Sequence, residues 1–347
     1  MYLQSIASWF PEFPMPQRDG WELFRHSSAA KRLQPRSMTL VEKILTGDTG
    51  IDQRHFAISD IERIFDLDPG ELNREFEVGA PDMACRAAHI ALDRARLQAS
   101  EVDALFVCTC TGYLCPGVSS HVAEALGIRS DAELQDLVGL GCGAAIPMLR
   151  AASHYLAVHP GHRVLTIAVE MCSAAFFVDD DPGALVSLCL FGDGASASVW
   201  SGETADWQAH HFQSLHWPQE REKIRFVNEG GRLKNQLHRT VPALAADAVQ
   251  TLYQRDKMED NGARVLSHTG GRDVLEAIEK KMGIPPLEES RRILRKAGNV
   301  SSPSVLMALE DYLSKASGNG DAKTLGLTGF GAGFSAHSCQ FQKNADQ

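Results

Sequence analysis

Two stretches of the chain repeat one another in order and in spacing, and this constrains the fold more than any other feature. Residues 107–112 (VCTCTG) match 265–270 (VLSHTG), each ending an apolar, strand-like run and each followed by a helical pattern. Residues 141–152 (GCGAAIPMLRAA) lie where 298–309 (GNVSSPSVLMAL) lie, and 163–170 (RVLTIAVE) correspond to 323–333 (KTLGLTGFGAG). Cys110 to Cys142 spans 32 positions and His268 to Asn299 spans 31. The repeat predicts a duplicated β–α–β–α–β unit. Its two copies would bring one helix N-terminus bearing Cys142 and another bearing Asn299 close to a pseudo-twofold axis, with His268 ending the strand before the Asn299 helix. Residues 201–235, low in hydrophobicity and carrying Pro218 and Gly230-Gly231, mark the boundary between halves 1–205 and 206–347.

Within the first copy, the apolar run DLVGLGCGAAIPMLRAA breaks at Gly139 and Gly141, reaches Cys142 and continues into an apolar helix. A cysteine at a helix N-terminus meets unpaired N–H groups and the macrodipole, which favour a thiolate. Small neighbours leave room for a substrate at the sulfur. A thiolate accepts an acyl group as a thioester, and an adjacent imidazole stabilises that thiolate. Imidazole and amide N–H groups aimed at one point stabilise an enolate oxygen. Each residue also has a plainer reading. Cys142 could be a buried core thiol, His268 a satisfied core histidine, and Asn299 the cap of the helix that Ser301, Ser302 and Pro303 begin. Their joint occurrence at repeat-related positions favours acyl loading on Cys142, followed by decarboxylation of a malonyl thioester to an enolate that attacks the acyl group.

Bulk properties narrow the alternatives. Of 347 residues, 44% are hydrophobic and 22% charged, a globular composition. A formal charge of −10 argues against non-specific nucleic-acid binding. No apolar run of about 18 residues occurs, so no membrane span is read. The eight cysteines lack zinc-like spacing and point to free thiols in a reducing, cytoplasmic setting, with no metal site. Helices are read over 38–47, 80–97 and 119–126, strands over 104–109 and 163–169, and a tight turn at 191–194. Residues 1–35, with Trp9, Phe10, Pro11, Phe13, Pro14 and Pro16, read as an irregular, extended entry.

The segments CTCTGYLCPG, GLGCGAAIPMLRAA, RVLTIAVEMCSAAFF, CLFGDGASA, LSHTGG, AGNVSSPSVLMAL and GFGAG resemble those of the thiolase-fold condensing enzymes, and among them the type III polyketide synthases (chalcone and stilbene synthase family). The resemblance covers the chain from about Ile51 to Phe334. It implies an α/β thiolase fold with duplicated halves in five αβαβα layers, and a homodimer. It also implies CoA-thioester substrates, malonyl-CoA among them, without metal or prosthetic group. It makes Cys142 the acyl-carrying nucleophile and His268 and Asn299 the decarboxylation and oxyanion pair. Phe191 matches a gating phenylalanine, and Cys115 the residue reaching across the dimer to the partner's pocket. Cys110, Cys172 and Ala175 match cavity-shaping positions. The backbone of Gly331 and Gly333 would complete the oxyanion hole with the Cys142 N–H, and Arg239 matches a basic position on the CoA tunnel.

The departures bear on substrate. HTGG and GFGAG stand where the family has HPGG and GFGPG, and Asn235 falls near a second gating phenylalanine. The basic residues that grip CoA phosphates are mostly missing, Lys43 being the nearest, which leaves room for a starter on an acyl carrier protein. Small residues at 110, 172, 174 and 175 predict a roomy cavity for a fatty or aryl starter. A ketoacyl-ACP synthase III-like enzyme performing one condensation shares the Cys-His-Asn set and stays open at this point.

Overall fold

The computed structural model describes residues 1–255, 263–316 and 322–344. Along the chain run β1 (Tyr2–Trp9), β2 (Pro14–Pro16), α1 (Gln17–His26), α2 (Pro35–Thr46), β3 (Gln53–His55), α3 (Pro69–Ala95), β4 (Ala104–Thr109), α4 (Val118–Leu126), β5 (Glu133–Val138), α5 (Ala145–Val158), β6 (Arg163–Glu170), α6 (Pro182–Leu190) and β7 (Gly194–Ser201). They are followed by β8 (Trp207–His216), β9 (Ile224–Glu229), β10 (Arg232–Leu237), α7 (Val241–Arg255), β11 (Arg264–Ser267), α8 (Arg272–Met282), α9 (Glu288–Ala297), α10 (Ser304–Lys315), β12 (Thr324–Gly331) and β13 (Ser335–Lys343).

Nine strands are hydrogen-bonded in the order β11-β12-β13-β8-β1-β7-β6-β4-β5. The order shows the duplication. In one set β4 pairs parallel with β6, β6 antiparallel with β7 and β7 antiparallel with β1. In the other, β11 pairs parallel with β12, β12 antiparallel with β13 and β13 antiparallel with β8. The sets meet where Tyr2 pairs with Gln208. The matching segments VCTCTG and VLSHTG end β4 and β11, the equivalent strands.

Layering follows from what each helix can bury. α5 and α10 are apolar or small on nearly every side, as a helix covered on both faces must be. α5 packs on β4 and β6 of its own set and on β8, β12 and β13 of the other. Leu149, Leu156, Leu306 and Leu309 share one buried core with strand residues from both sets. Full burial of each such side chain is worth about 1.5–3 kcal/mol. α3 covers β1, β6 and β7 from outside, and α7 covers β8, β12 and β13. Helix, sheet, central helices, sheet and helix make five layers.

Residues 1–35 differ from the sequence expectation. They form a central strand and an amphipathic helix rather than an irregular entry. The mixed YLQSIASW hides a strand in part because one of its polar residues finds a partner inside: Ser5 Oγ donates to Ala91 O at 2.6 Å. α3 also begins earlier than expected, at Pro69, where Asp68 and Glu71 form a reciprocal capping box.

Candidate active site

Cys142 lies in a single 3₁₀ turn, Gly141–Gly143, that leads into α5. Gly141 has φ +60°, and a Cβ there would come within 2.7 Å of the Ala332 nitrogen. From the other half, Gly331 presses equally closely: a Cβ on it would sit 2.8 Å from the nitrogens of both Cys142 and Gly143. The nucleophile turn is thus clamped by the end of β12, which explains a glycine on each side. Cys142 Sγ accepts a hydrogen bond from Ser301 Oγ at 3.2 Å.

Burial pushes the Cys142 thiol up to about 12, against a lowering by the Ser301 hydrogen bond. The helix entry was expected to favour a thiolate, but loss of hydration outweighs it, and the resting group is a thiol. His268, the residue after β11, is likewise driven to its neutral form, down to about 3, by burial. Its Nδ1 lies 2.6 Å from Ser304 Oγ, whose proton goes to Ser301 O at 2.7 Å. Nδ1 therefore carries the ring hydrogen, and Nε2 is left as a bare acceptor.

Asn299 is held by a two-residue bridge to Phe191: its N–H donates to Leu190 O, and its carbonyl accepts from Gly192 N. Its Oδ1 accepts from the Ser301 N–H at 2.8 Å. This bond closes a local turn and not a helix end: α10 begins at Ser304 with Pro303 at its N-cap and no side-chain cap, so the reading of Asn299 as the cap of that helix does not hold. This turn holds Ser301 at φ +55°, a conformation a serine rarely adopts. In that pose Ser301 Oγ reaches Cys142 Sγ, Cys110 Sγ (3.3 Å) and Glu170 Oε1 (3.3 Å).

Glu170, fully buried at the end of β6, and Ser301 were missed from the sequence. Glu170 Oε2 accepts from the Cys110 N–H and the Thr111 hydroxyl, both at 2.9 Å, and Oε1 from Ser302 Oγ at 2.5 Å. Burial raises its pKa while these hydrogen bonds lower it. The one available signal was an acidic residue closing the otherwise apolar strand RVLTIAVE.

Around Cys142 the structure gathers Cys110, Cys172, Ala175, Phe191 and Asn235, with Ser301 and Ala332, on one cavity wall. Burial holds Cys110 and Cys172 well above the ordinary thiol range. The cavity is only about 40 Å³, not the roomy one expected, because Phe176, Phe177 and Phe226 also line it. His268 and Asn299 are not among the residues that line it; they connect to it through Ser301 and Ser304. Arg239 lies apart, with His238 and Arg272, in an outer cavity of about 450 Å³ that Leu190 also lines. Phe191 therefore stands between inner and outer cavities. Gly333, at φ +109°, is not on the inner wall, and Cys115 is exposed.

Residues 18–218 match the family described as FAE1/Type III polyketide synthase-like protein. The chain belongs to that family. Residues 256–343 of this type III polyketide synthase match the C-terminal region of 3-oxoacyl-[acyl-carrier-protein] synthase III, which shares the fold of the second half. The synthase is 30% identical to 1,3,6,8-tetrahydroxynaphthalene synthase of Streptomyces peucetius subsp. caesius, over 88% of this chain and 84% of that protein. It is 25% identical to phloroglucinol synthase of Pseudomonas fluorescens, over 94% and 95% of the two chains. The structure of 1,3,6,8-tetrahydroxynaphthalene synthase from Streptomyces coelicolor A3(2) superposes with a TM-score of 0.88 at 24% identity over the full length of both. The thiolase fold and acyl-transferring, iterative condensing chemistry follow from this membership, and the single-condensation alternative is not favoured.

Proposed function

We propose that the synthase carries its growing chain as a thioester on Cys142 and extends it with malonyl-CoA, using His268 and Asn299 in the roles the resemblance implies. The observation that supports this most is the interlock of the two halves. Ser301 of one reaches the Cys142 sulfur of the other, and the same turn, through Ser304, fixes the tautomer of His268.

In loading, the Cys142 proton passes to His268 Nε2 as sulfur attacks the starter thioester. The backbone N–H of Cys142 and the Gly331–Gly333 loop face the oxyanion, and CoA leaves as a thiolate. The proton stays on His268, which now offers an N–H. That donor and the Asn299 amide nitrogen hold the enolate oxygen that forms as the malonyl group loses CO2. The enolate carbon attacks the acyl carbon, and Cys142 is released as a thiolate beside the protonated imidazole. Phe191 gates the passage between cavities, and Arg239 faces the phosphates of the arriving thioester, on CoA or on a carrier protein. Cys110, Cys172, Ala175 and Asn235 shape the space beside the sulfur.

An exposed edge supports a homodimer. β5 pairs on one side only, with β4, and Leu134, Val138, Tyr113 and Cys115 beside it are exposed. Two copies joined there would bring Cys115 towards the partner's cavity. Among the described residues no helix is long and apolar enough to cross a membrane. Eight free thiols support a cytoplasmic setting.

The deciding experiment is intact-protein mass after brief exposure to malonyl-CoA and a panel of starter thioesters. An acyl adduct absent from Cys142→Ala is expected; an equal adduct on that variant overturns the assignment.

A further inference from the structure

Behind the Cys142 turn an unbroken hydrogen-bonded chain runs from a helix through two strands to the loop after β12. Arg150 Nη1, on α5, donates to Ser214 Oγ of β8 at 3.0 Å. Ser214 Oγ lies 2.8 Å from His337 Nδ1, on β13. His337 Nε2 lies 3.2 Å from Ser335 Oγ, and Ser335 Oγ donates to Ala332 O at 3.0 Å. Ser335 spends its own proton on the Ala332 carbonyl, so it must accept from Nε2–H, and in the neutral ring Ser214 then donates to the bare Nδ1 while accepting from Arg150. His337 is then the Nε2–H tautomer, donating to Ser335, and every bond runs in one direction towards Ala332. The ring is 1% exposed and lies directly under the residue after the nucleophile: a Cβ at Gly143 would sit 3.0 Å from His337 Cδ2. Burial, with the nearby His216 and Arg150 charges, drives it to the neutral form that this chain requires.

We propose that His337 is a positioning residue for acyl transfer, acting through Ser335 on the loop that faces Cys142. The inference rests on the reading of Cys142 as acyl carrier. Ala332 lines the inner cavity, and its carbonyl belongs to the same planar peptide as the Gly333 N–H. A hydrogen bond accepted by that carbonyl fixes the plane and polarises the N–H at its other end. Gly333 has φ +109° and Ala332 replaces a proline of the family pattern, so the loop's own covalent geometry restrains it little. The chain from Arg150 supplies the restraint instead.

Two reactions at one sulfur separate positioning from folding. Acylation builds an oxyanion; alkylation by iodoacetamide does not. Ser335→Ala and His337→Leu should slow single-turnover acylation by about tenfold, less than the ~10²-fold or greater cost of losing a direct oxyanion donor, while alkylation changes less than about twofold. His337→Gln, which keeps an N–H near the Nε2 position, should recover part of the loss. Should His337→Leu fail to fold, Ser335→Ala decides alone. Acylation and alkylation falling together, or neither falling, overturns the proposal. Failure of the underlying reading is distinguishable, since Cys142→Ala would then still acquire an acyl group.

Discussion

The hydroxyl of Ser301 lies 3.2 Å from the sulfur of Cys142, held there by a left-handed backbone at φ +55°. Strain in the serine and solvation of the thiol are thus one feature. Ser301→Gly removes both: the backbone becomes unstrained and the sulfur loses its donor. The melting temperature should hold or rise, while iodoacetamide alkylation at pH 8 slows about three- to tenfold, as expected for a hydrogen bond of ~0.5–1.5 kcal/mol. Alkylation at the parent rate would remove Ser301 from the thiol's environment.

Cys142 and His268 each rest uncharged through burial, with the thiol raised to about 12 and the imidazole lowered to about 3. A thiolate–imidazolium pair would show an alkylation step near the ordinary histidine value. Here the alkylation rate should instead climb without a plateau from pH 6 to 10, and such a step in that range would refute the neutral pair.

Acid stability follows from the same burial. His268 and His337 are both lowered to about 3, from an ordinary 6.5. Between those values the unfolded chain binds the extra protons, so stability is fully present above pH 6.5 and falls as pH drops below it. Asp193, raised to about 6 by burial, opposes this between 3.8 and about 6. Melting temperature against pH should decline on the acid side, and His337→Gln should decline less steeply. Parallel slopes in the two proteins would contradict the assignment.

The Asn299 amide oxygen holds the Ser301 turn, and its nitrogen is the proposed enolate donor. Asn299→Ala should lose about 1 kcal/mol of stability from that hydrogen bond. CO2 release from malonyl-CoA should fall ~10²–10³-fold, with acyl-enzyme formation close to normal. Normal decarboxylation would leave only the turn-holding role.

A charge on the open strand tests the dimer. Val138→Lys on β5 should turn a dimer into a monomer in sedimentation at micromolar concentration. A parent protein already monomeric and fully active would end the proposal.

Much of this was legible because the repeat is carried by short motifs at strand ends. VCTCTG and VLSHTG place Cys110 and His268 at equivalent strand ends, and GCG and GNV place Cys142 and Asn299. Ser301 and Glu170 were not legible as a pair: they lie 131 residues apart and meet only after both halves fold. Ser301 looked like one more residue of a helix's first turn, because nothing in SSPS reveals a positive φ. The cavity's size was misjudged for a related reason. Small residues at 110, 172 and 175 mark one wall, but Phe226, on a hairpin in the low-hydrophobicity stretch, closes the other.

β1 pairs with β7 on one side and touches β8 on the other, so both of its neighbours are synthesised nearly two hundred residues after it. The strand at the middle of the sheet is made before anything it can pair with, and contacts so distant in sequence slow folding. Until β7 and β8 emerge, its backbone groups have no sheet to join, and the segment depends on α3 for cover. The centre of the sheet can therefore be completed only once the chain has crossed from one half into the other, before the strands of the far flank, β11 to β13, are made.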